Sequence, residues 1–208
     1  MTTIKGLFAA GDASGASSHK FSSGSFTEGR IAGKAAVAFC MDHPEPVHIS
    51  DEQVAALKEE VLKPLMIFEE HHAYTNDEDV NPNFIKPKMF MFRLQKIMDE
   101  YAGGASVGFK TSEALLTKGL DYLQYMKEDS EKLAASDLNE LMRCWENIHR
   151  LWQAESHMRT VLFREETRWP GYYFRTDHPS MKSDWEAFAN CKWDPETGEW
   201  EMIKRDIL

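Results

Sequence analysis

The residues best suited to chemistry lie near the start of this 208-residue chain, between Gly11-Asp12 and Gly29-Arg30. A carboxylate such as Asp12, reached at the end of an apolar run, can accept hydrogen bonds from the hydroxyls of a sugar or polyol. From Ala13 to Gly24 the residues are Gly, Ser and Ala, with only His19, Lys20 and Phe21 set among them. The backbone N–H groups of Ser22, Ser23, Gly24 and Ser25 would stand at the entry to a helix. There they are unpaired and at the positive end of the helix dipole, suited to an anionic or electron-rich oxygen. Glycine and serine there let the backbone come close to a ligand. On loop chemistry alone, a surface loop that merely caps a helix fits the same residues.

Other motifs carry less. Gly29-Arg30-Ile31-Ala32-Gly33-Lys34 is too short between its glycines for a phosphate loop, and Ala35 stands where Ser or Thr would bind magnesium. No GxGxxG occurs, so the chain by itself has no standard grip on a dinucleotide's pyrophosphate. Glu69-Glu70-His71-His72 lacks the HExxH spacing of a zinc helix, and histidines late on a helix suit its negative end. Glu155 and His157, two apart, fall on different helix faces and do not form an acid/base pair. Trp145, Trp152 and Trp169 read as core. Cys40, Cys144 and Cys191 form no CxxC pair and read as reduced packing residues.

The elements that must position the glycine-and-serine loop follow from periodicity. Ile4 to Ala10 is a short apolar run that predicts a buried strand; Ile31, Ala35, Val37 and Phe39 predict a helix ending near Asp42, ahead of Pro44. Strand, loop and helix make half of a nucleotide-binding unit. Ser50 and Gln53 form a capping-box pattern before Val54, Leu57, Val61 and Leu65, with Pro64 expected to kink or divide that helix. Met89 to Tyr101 marks a helix stopped by Gly103-Gly104. Thr111 or Ser112 caps the next, and a last helix is predicted from Ser136 towards Arg168, stopped by Trp169-Pro170-Gly171. Ala187 to Trp193 and Glu199 to Ile203, flanking Asp194-Pro195-Glu196-Thr197-Gly198, predict a hairpin. The expected fold is mainly α, a helical bundle with a C-terminal β-hairpin, preceded by the strand–loop–helix piece.

Composition supports a packed, water-facing protein: 42% hydrophobic and 28% charged residues, with a formal net charge of −10 that disfavours a nucleic-acid surface. No apolar run approaches a membrane span and the first residues lack signal-peptide order, which reads as cytoplasmic.

The stretch GLFAAGDASGASSHKFSSGSFTEGRIAGKAA, Gly6 to Ala36, resembles the last flavin-binding segment of the dissimilatory adenylylsulfate reductase alpha subunits, within the fumarate reductase and succinate dehydrogenase flavoprotein superfamily. KPKMFMFRLQKIMDEYAGG (86–104), LMRCWENIHRLWQAE (141–155), LFREETRWPGYYFR (162–175) and NCKWDPETGEW (190–200) extend the similarity over nearly the whole chain. The resemblance implies FAD as cofactor, reversible reduction of adenylylsulfate to AMP and sulfite, and an iron-sulfur beta subunit carrying two [4Fe–4S] clusters as partner. By position it implies Gly11 and Asp12 at the ribityl or ribose hydroxyls, and His19 with Ser22, Ser23, Gly24 and Ser25 near the isoalloxazine. Phe21 and Lys20 would face the substrate. It also implies three regions: 1–49 as the last piece of a Rossmann-like FAD-binding domain, 50–168 as the helical domain, and 169–208 as an extension with the hairpin. Catalytic residues are expected upstream, so the chain reads as a C-terminal fragment inactive by itself. Superfamily members acting on dicarboxylates carry an Asn-Arg-Leu-Gly type of segment where this chain has His19-Lys20-Phe21-Ser22, which favours a sulfur substrate. A fumarate or succinate oxidoreductase fragment and a non-catalytic helical interaction module are the alternatives.

Overall fold

The computed structural model describes residues 1–14, 21–45, 47–75, 81–168 and 173–207. They fall into two compact units, Met1–Val54 and Ala55–Leu208. The first unit is built around helix α1, Ser22–Asp42, and a single 3-10 turn at Gly11–Ala13. The run 4–10 forms no strand. Ala10 is extended (φ −150°, ψ 157°), but a strand exists only as part of a ladder, and no neighbour pairs with it among the described residues. Instead the run folds back, with Thr2 N–H donating to the Leu7 carbonyl at 2.8 Å and Phe8 meeting Phe39 of α1 edge-on at 6.2 Å.

Helix α2, Asp51–His71, opens with the capping box that its sequence predicts: Ser50 N–H donates to Gln53 Oε1 at 3.0 Å and Gln53 N–H to Ser50 Oγ at 3.2 Å. Pro64 lies inside α2 without ending it. Its carbonyl accepts from Ala135 N–H at 2.9 Å, so a position that cannot donate is used as an acceptor for a neighbouring segment. At the helix end His72 stacks on Phe68 and its Nδ1 lies 3.1 Å from the Phe68 and Glu69 carbonyls.

The second unit's core comes from α3 (Pro87–Tyr101), α4 (Glu113–Ser130) and α5 (Leu138–Phe163), which contribute Phe90, Leu94, Leu116, Leu123, Met126, Leu151 and Met158 to one buried cluster. Each fully buried aliphatic or aromatic side chain stabilises by about 2 kcal/mol relative to exposure. Caps define the helix starts: Ser112 Oγ accepts from Leu115 N–H at 3.4 Å, and Asp137 Oδ1 accepts from Glu140 N–H at 2.8 Å. Helix α5 therefore starts at Leu138. It stops at Phe163, short of the predicted Arg168, because Arg164 turns to extended backbone and the Arg175 guanidinium takes over the terminal carbonyls of Val161 (2.5 Å), Leu162 (3.1 Å) and Arg164 (3.4 Å). The predicted Trp169-Pro170-Gly171 stop lies outside the described residues.

Two short strands, β1 (Lys110–Thr111) and β2 (Phe174–Arg175), pair in parallel, and β3 (Ala187–Asp194) with β4 (Glu199–Asp206) forms the antiparallel C-terminal hairpin. Tryptophans dock the hairpin on α5: Trp152 meets Trp193 edge-on at 5.2 Å, Trp193 meets Trp200 across the strands at 5.4 Å, and Lys127 lies over Trp152 at 4.8 Å. Glu155, 4% exposed, is bound by Lys127 at 2.6 Å and Arg159 at 2.8 Å, so it serves this ion cluster and has no link to His157. Cys144 is buried, and burial pushes its thiol up to about 12; Cys191 is half-buried, whereas Cys40, read from sequence as a packing residue, stands exposed on α1. Among the described residues no helix is long and apolar enough to cross a membrane.

Candidate functional site

The first unit brings the chemically suited residues together through a glycine turn and a helix start. Gly11 is buried with φ +66°, a left-handed conformation that side chains disfavour. A Cβ there would also lie 3.2 Å from Ser25 Oγ and 3.4 Å from Ser25 Cβ, so the turn and the first turn of α1 touch as closely as glycine allows. Ser14 N–H closes the turn onto the Gly11 carbonyl at 2.9 Å, leaving Asp12 at its middle and exposed.

Helix α1 begins at Ser22 after Phe21, which is 82% exposed and gives no side-chain cap. Ser25 N–H donates to the Phe21 carbonyl at 3.1 Å. Of the four backbone donors named from sequence, Ser25's is thus spent on the helix, while helix geometry leaves those of Ser22, Ser23 and Gly24 without an intrahelical acceptor. Ser22 and Ser23 are exposed, and Gly24 and Ser25 half-buried. His19 and Lys20 lie outside the described residues.

One participant escaped the sequence reading. Glu28, in the second turn of α1, accepts the Gly11 N–H at 2.8 Å and the Ser14 hydroxyl at 3.0 Å, both on Oε2. Nothing in its spacing from Gly11 marks it, because the contact depends on the turn folding back onto the helix. The assembled surface combines an exposed carboxylate, three N–H donors without an intrahelical acceptor and a turn held against a helix by glycine. This suits polar hydroxyls and electron-rich oxygens. Among the described residues it offers no nucleophile paired with a base.

Scanned against models of known protein families, the chain matches none. It is 46% identical over 210 aligned positions to the adenylylsulfate reductase subunit alpha of Megalodesulfovibrio gigas, covering 99% of this chain and 31% of that protein. The structure of adenylylsulfate reductase from Archaeoglobus fulgidus superposes with a TM-score of 0.95 at 51% identity, over 100% of this chain and 33% of that one. An adenosine-5-phosphosulfate reductase solved as a covalent adduct with sulfite gives the same TM-score, identity and coverage. Escherichia coli quinol fumarate reductase shares the fold at a TM-score of 0.70 and 19% identity, covering 98% of this chain and 34% of its own. The chain spans about a third of the length of the relatives it matches. Over its whole length, then, this chain is homologous to one third of the adenylylsulfate reductase alpha subunit, and it shares its fold with quinol fumarate reductase.

Proposed function

We propose that the chain provides the last flavin-contacting loop and the helical domain of an adenylylsulfate reductase alpha subunit, acting in the reversible reduction of adenylylsulfate to AMP and sulfite. The observation that carries this reading is the whole-chain match to the Archaeoglobus fulgidus enzyme, TM-score 0.95 at 51% identity. Residues 1–49 are the C-terminal piece of the FAD-binding domain, 50–168 the helical domain and 169–208 an extension bearing the hairpin.

The residues present fit FAD. The close Gly11–Ser25 approach and the N–H groups of Ser22, Ser23 and Gly24 form a cradle for a flat, oxygen-edged group, and the Asp12 carboxylate can accept ribityl or ribose hydroxyls. When bound, FAD supplies the two-electron redox chemistry. This chain's own part would be to hold and orient it: Gly11 and Asp12 for the sugar-like portion and the Ser22–Ser25 backbone for the ring edge, a role the resemblance also assigns to His19. Backbone donors there favour negative charge. Phe21 and Lys20 are assigned to the substrate by the resemblance, the first as an aromatic wall for adenosine and the second as positive potential for a dianion. Electrons come from a beta subunit with two [4Fe–4S] clusters. The three cysteines, all unpaired, suit a cytoplasmic location.

A single strand-less turn and one helix cannot enclose a dinucleotide, so the 208-residue chain alone is inactive. The test is a chimera in which this chain replaces the matching third of the Archaeoglobus fulgidus subunit, assembled with its partner. Adenylylsulfate-dependent formation of AMP and sulfite, insensitive to competition by fumarate or succinate, is expected. A correctly folded chimera that retains FAD and turnover after replacement of Asp12 and of Ser22 to Ser25 would overturn the roles given to them.

A further inference from the structure

The carboxylate of Glu28 is a tie between two parts of the candidate site that are far apart in sequence. Its Oε2 receives the Gly11 N–H at 2.8 Å and the Ser14 hydroxyl at 3.0 Å, so both ends of the turn carrying Asp12 are fastened to one oxygen. A further fastening is the Gly11–Ser25 contact on the first turn of the same helix. Glu28 is half-buried and stands one turn beyond Ser22, Ser23 and Gly24 at the start of α1. Charge-assisted hydrogen bonds to a carboxylate are stronger than neutral ones. The tie therefore fixes the distance between Asp12 and the helix start, the two surfaces that meet different parts of the flavin.

We infer that Glu28 is a positioning residue for FAD, holding the Gly11–Ser14 turn against α1 so that Asp12 and the Ser22–Gly24 N–H groups are presented as one rigid surface. This rests on the flavin reading given above. Glutamine at this position keeps an oxygen at the same reach, whereas aspartate keeps the charge but is one methylene too short.

The test measures FAD dissociation from the reconstituted chimeric holoenzyme, by flavin fluorescence and by visible circular dichroism of the bound flavin. Glu28→Ala is expected to weaken FAD binding about tenfold or more and Glu28→Asp by a smaller factor, each with an altered flavin dichroism, while Glu28→Gln stays within about threefold with the parent spectrum. If Glu28→Ala fails to fold, the comparison of Glu28→Asp with Glu28→Gln decides, and equal affinities and spectra for those two overturn the inference. Asp12→Ala in the same chimera separates the two levels. Weakened FAD binding there, with none in Glu28→Ala, removes the role of Glu28 and leaves the flavin reading standing. Unchanged binding in both removes both.

Discussion

Arg175 is 1% exposed, and its buried charge is met by Asp177, with Nη2 2.7 Å from Oδ2 and Nε 2.9 Å from Oδ1. The guanidinium beside it holds the Asp177 carboxyl well below the usual carboxylate range. Asp177 Oδ2 also accepts the Glu113 N–H at 2.8 Å, so one carboxylate joins the arginine plug of α5 to the start of α4. Removing it strands a buried cation, and Asp177→Ala is expected to lower unfolding free energy by about 3 kcal/mol in urea titration. Because the folded-state pKa is depressed, this stabilisation is complete above the ordinary aspartate range and is lost as pH falls from about 5 towards the lower folded value. Glu166 adds to the same slope. Its burial pushes the carboxyl up, but hydrogen bonds from Arg168, the Lys182 N–H and Arg164 outweigh that and hold it low. A denaturation midpoint that is flat below pH 5 in the parent, or equally steep in Asp177→Ala, would contradict this account. At this scale the sequence offered Asp12 and the serine donors as candidates through their chemical types, and the structure places the Gly11 turn against the first turn of α1. It did not announce Glu28 or Arg175, whose roles arise from where the chain folds back and from burial.

Among the elements, α3, α4 and α5 were legible because their apolar residues recur at helical spacing and their ends carry caps with a mechanism. The hairpin was legible from its turn residues. Three features were not. The apolar run 4–10 has strand composition, but strand formation depends on neighbours that composition cannot provide. The end of α5 depends on Arg175, more than ten residues downstream. The two-residue strands β1 and β2 are too short to leave a pattern. A fourth element-scale feature is Gly119, inside α4, where helix propensity alone argues for alanine. A Cβ there would lie 2.8 Å from Tyr101 Cβ on α3 and 2.9 Å from Met158 Cε on α5. Met158 can swing aside, but the Tyr101 Cβ is fixed to its backbone. Overpacking of about 1–3 kcal/mol should then exceed the propensity gain of about 1 kcal/mol, so Gly119→Ala is expected to destabilise by about 1–2 kcal/mol. Equal or greater stability of Gly119→Ala in urea would show that α3 and α4 are free to separate.

For the whole molecule, the contrast is between a unit with a core and a unit in which the described residues form none. Helix α1 has no buried residue, and Phe26, Ile31, Val37 and Met41 are all more than 60% exposed, whereas the second unit holds a continuous apolar cluster. An apolar helix left this open is what a part made to pack against further protein looks like, in keeping with relatives three times as long. Limited proteolysis of the 208-residue chain is therefore expected to cut first within Met1–Val54 and to spare α3 to α5; first cuts inside the bundle would refute this. The parallel pairing of β1 with β2 bears on how the second unit folds. Phe174 N–H reaches the Phe109 carbonyl at 2.7 Å and Thr176 N–H the Thr111 carbonyl at 2.9 Å, contacts that close a loop containing all of α4 and α5. Closing so long a loop costs entropy until those helices have paired, so these contacts should form late on the refolding route. In pulse-labelled hydrogen exchange the amides of Phe174 and Thr176 should gain protection after those in α4 and α5. The arginine plug would then be the latch that completes folding, with the helices already assembled when it engages.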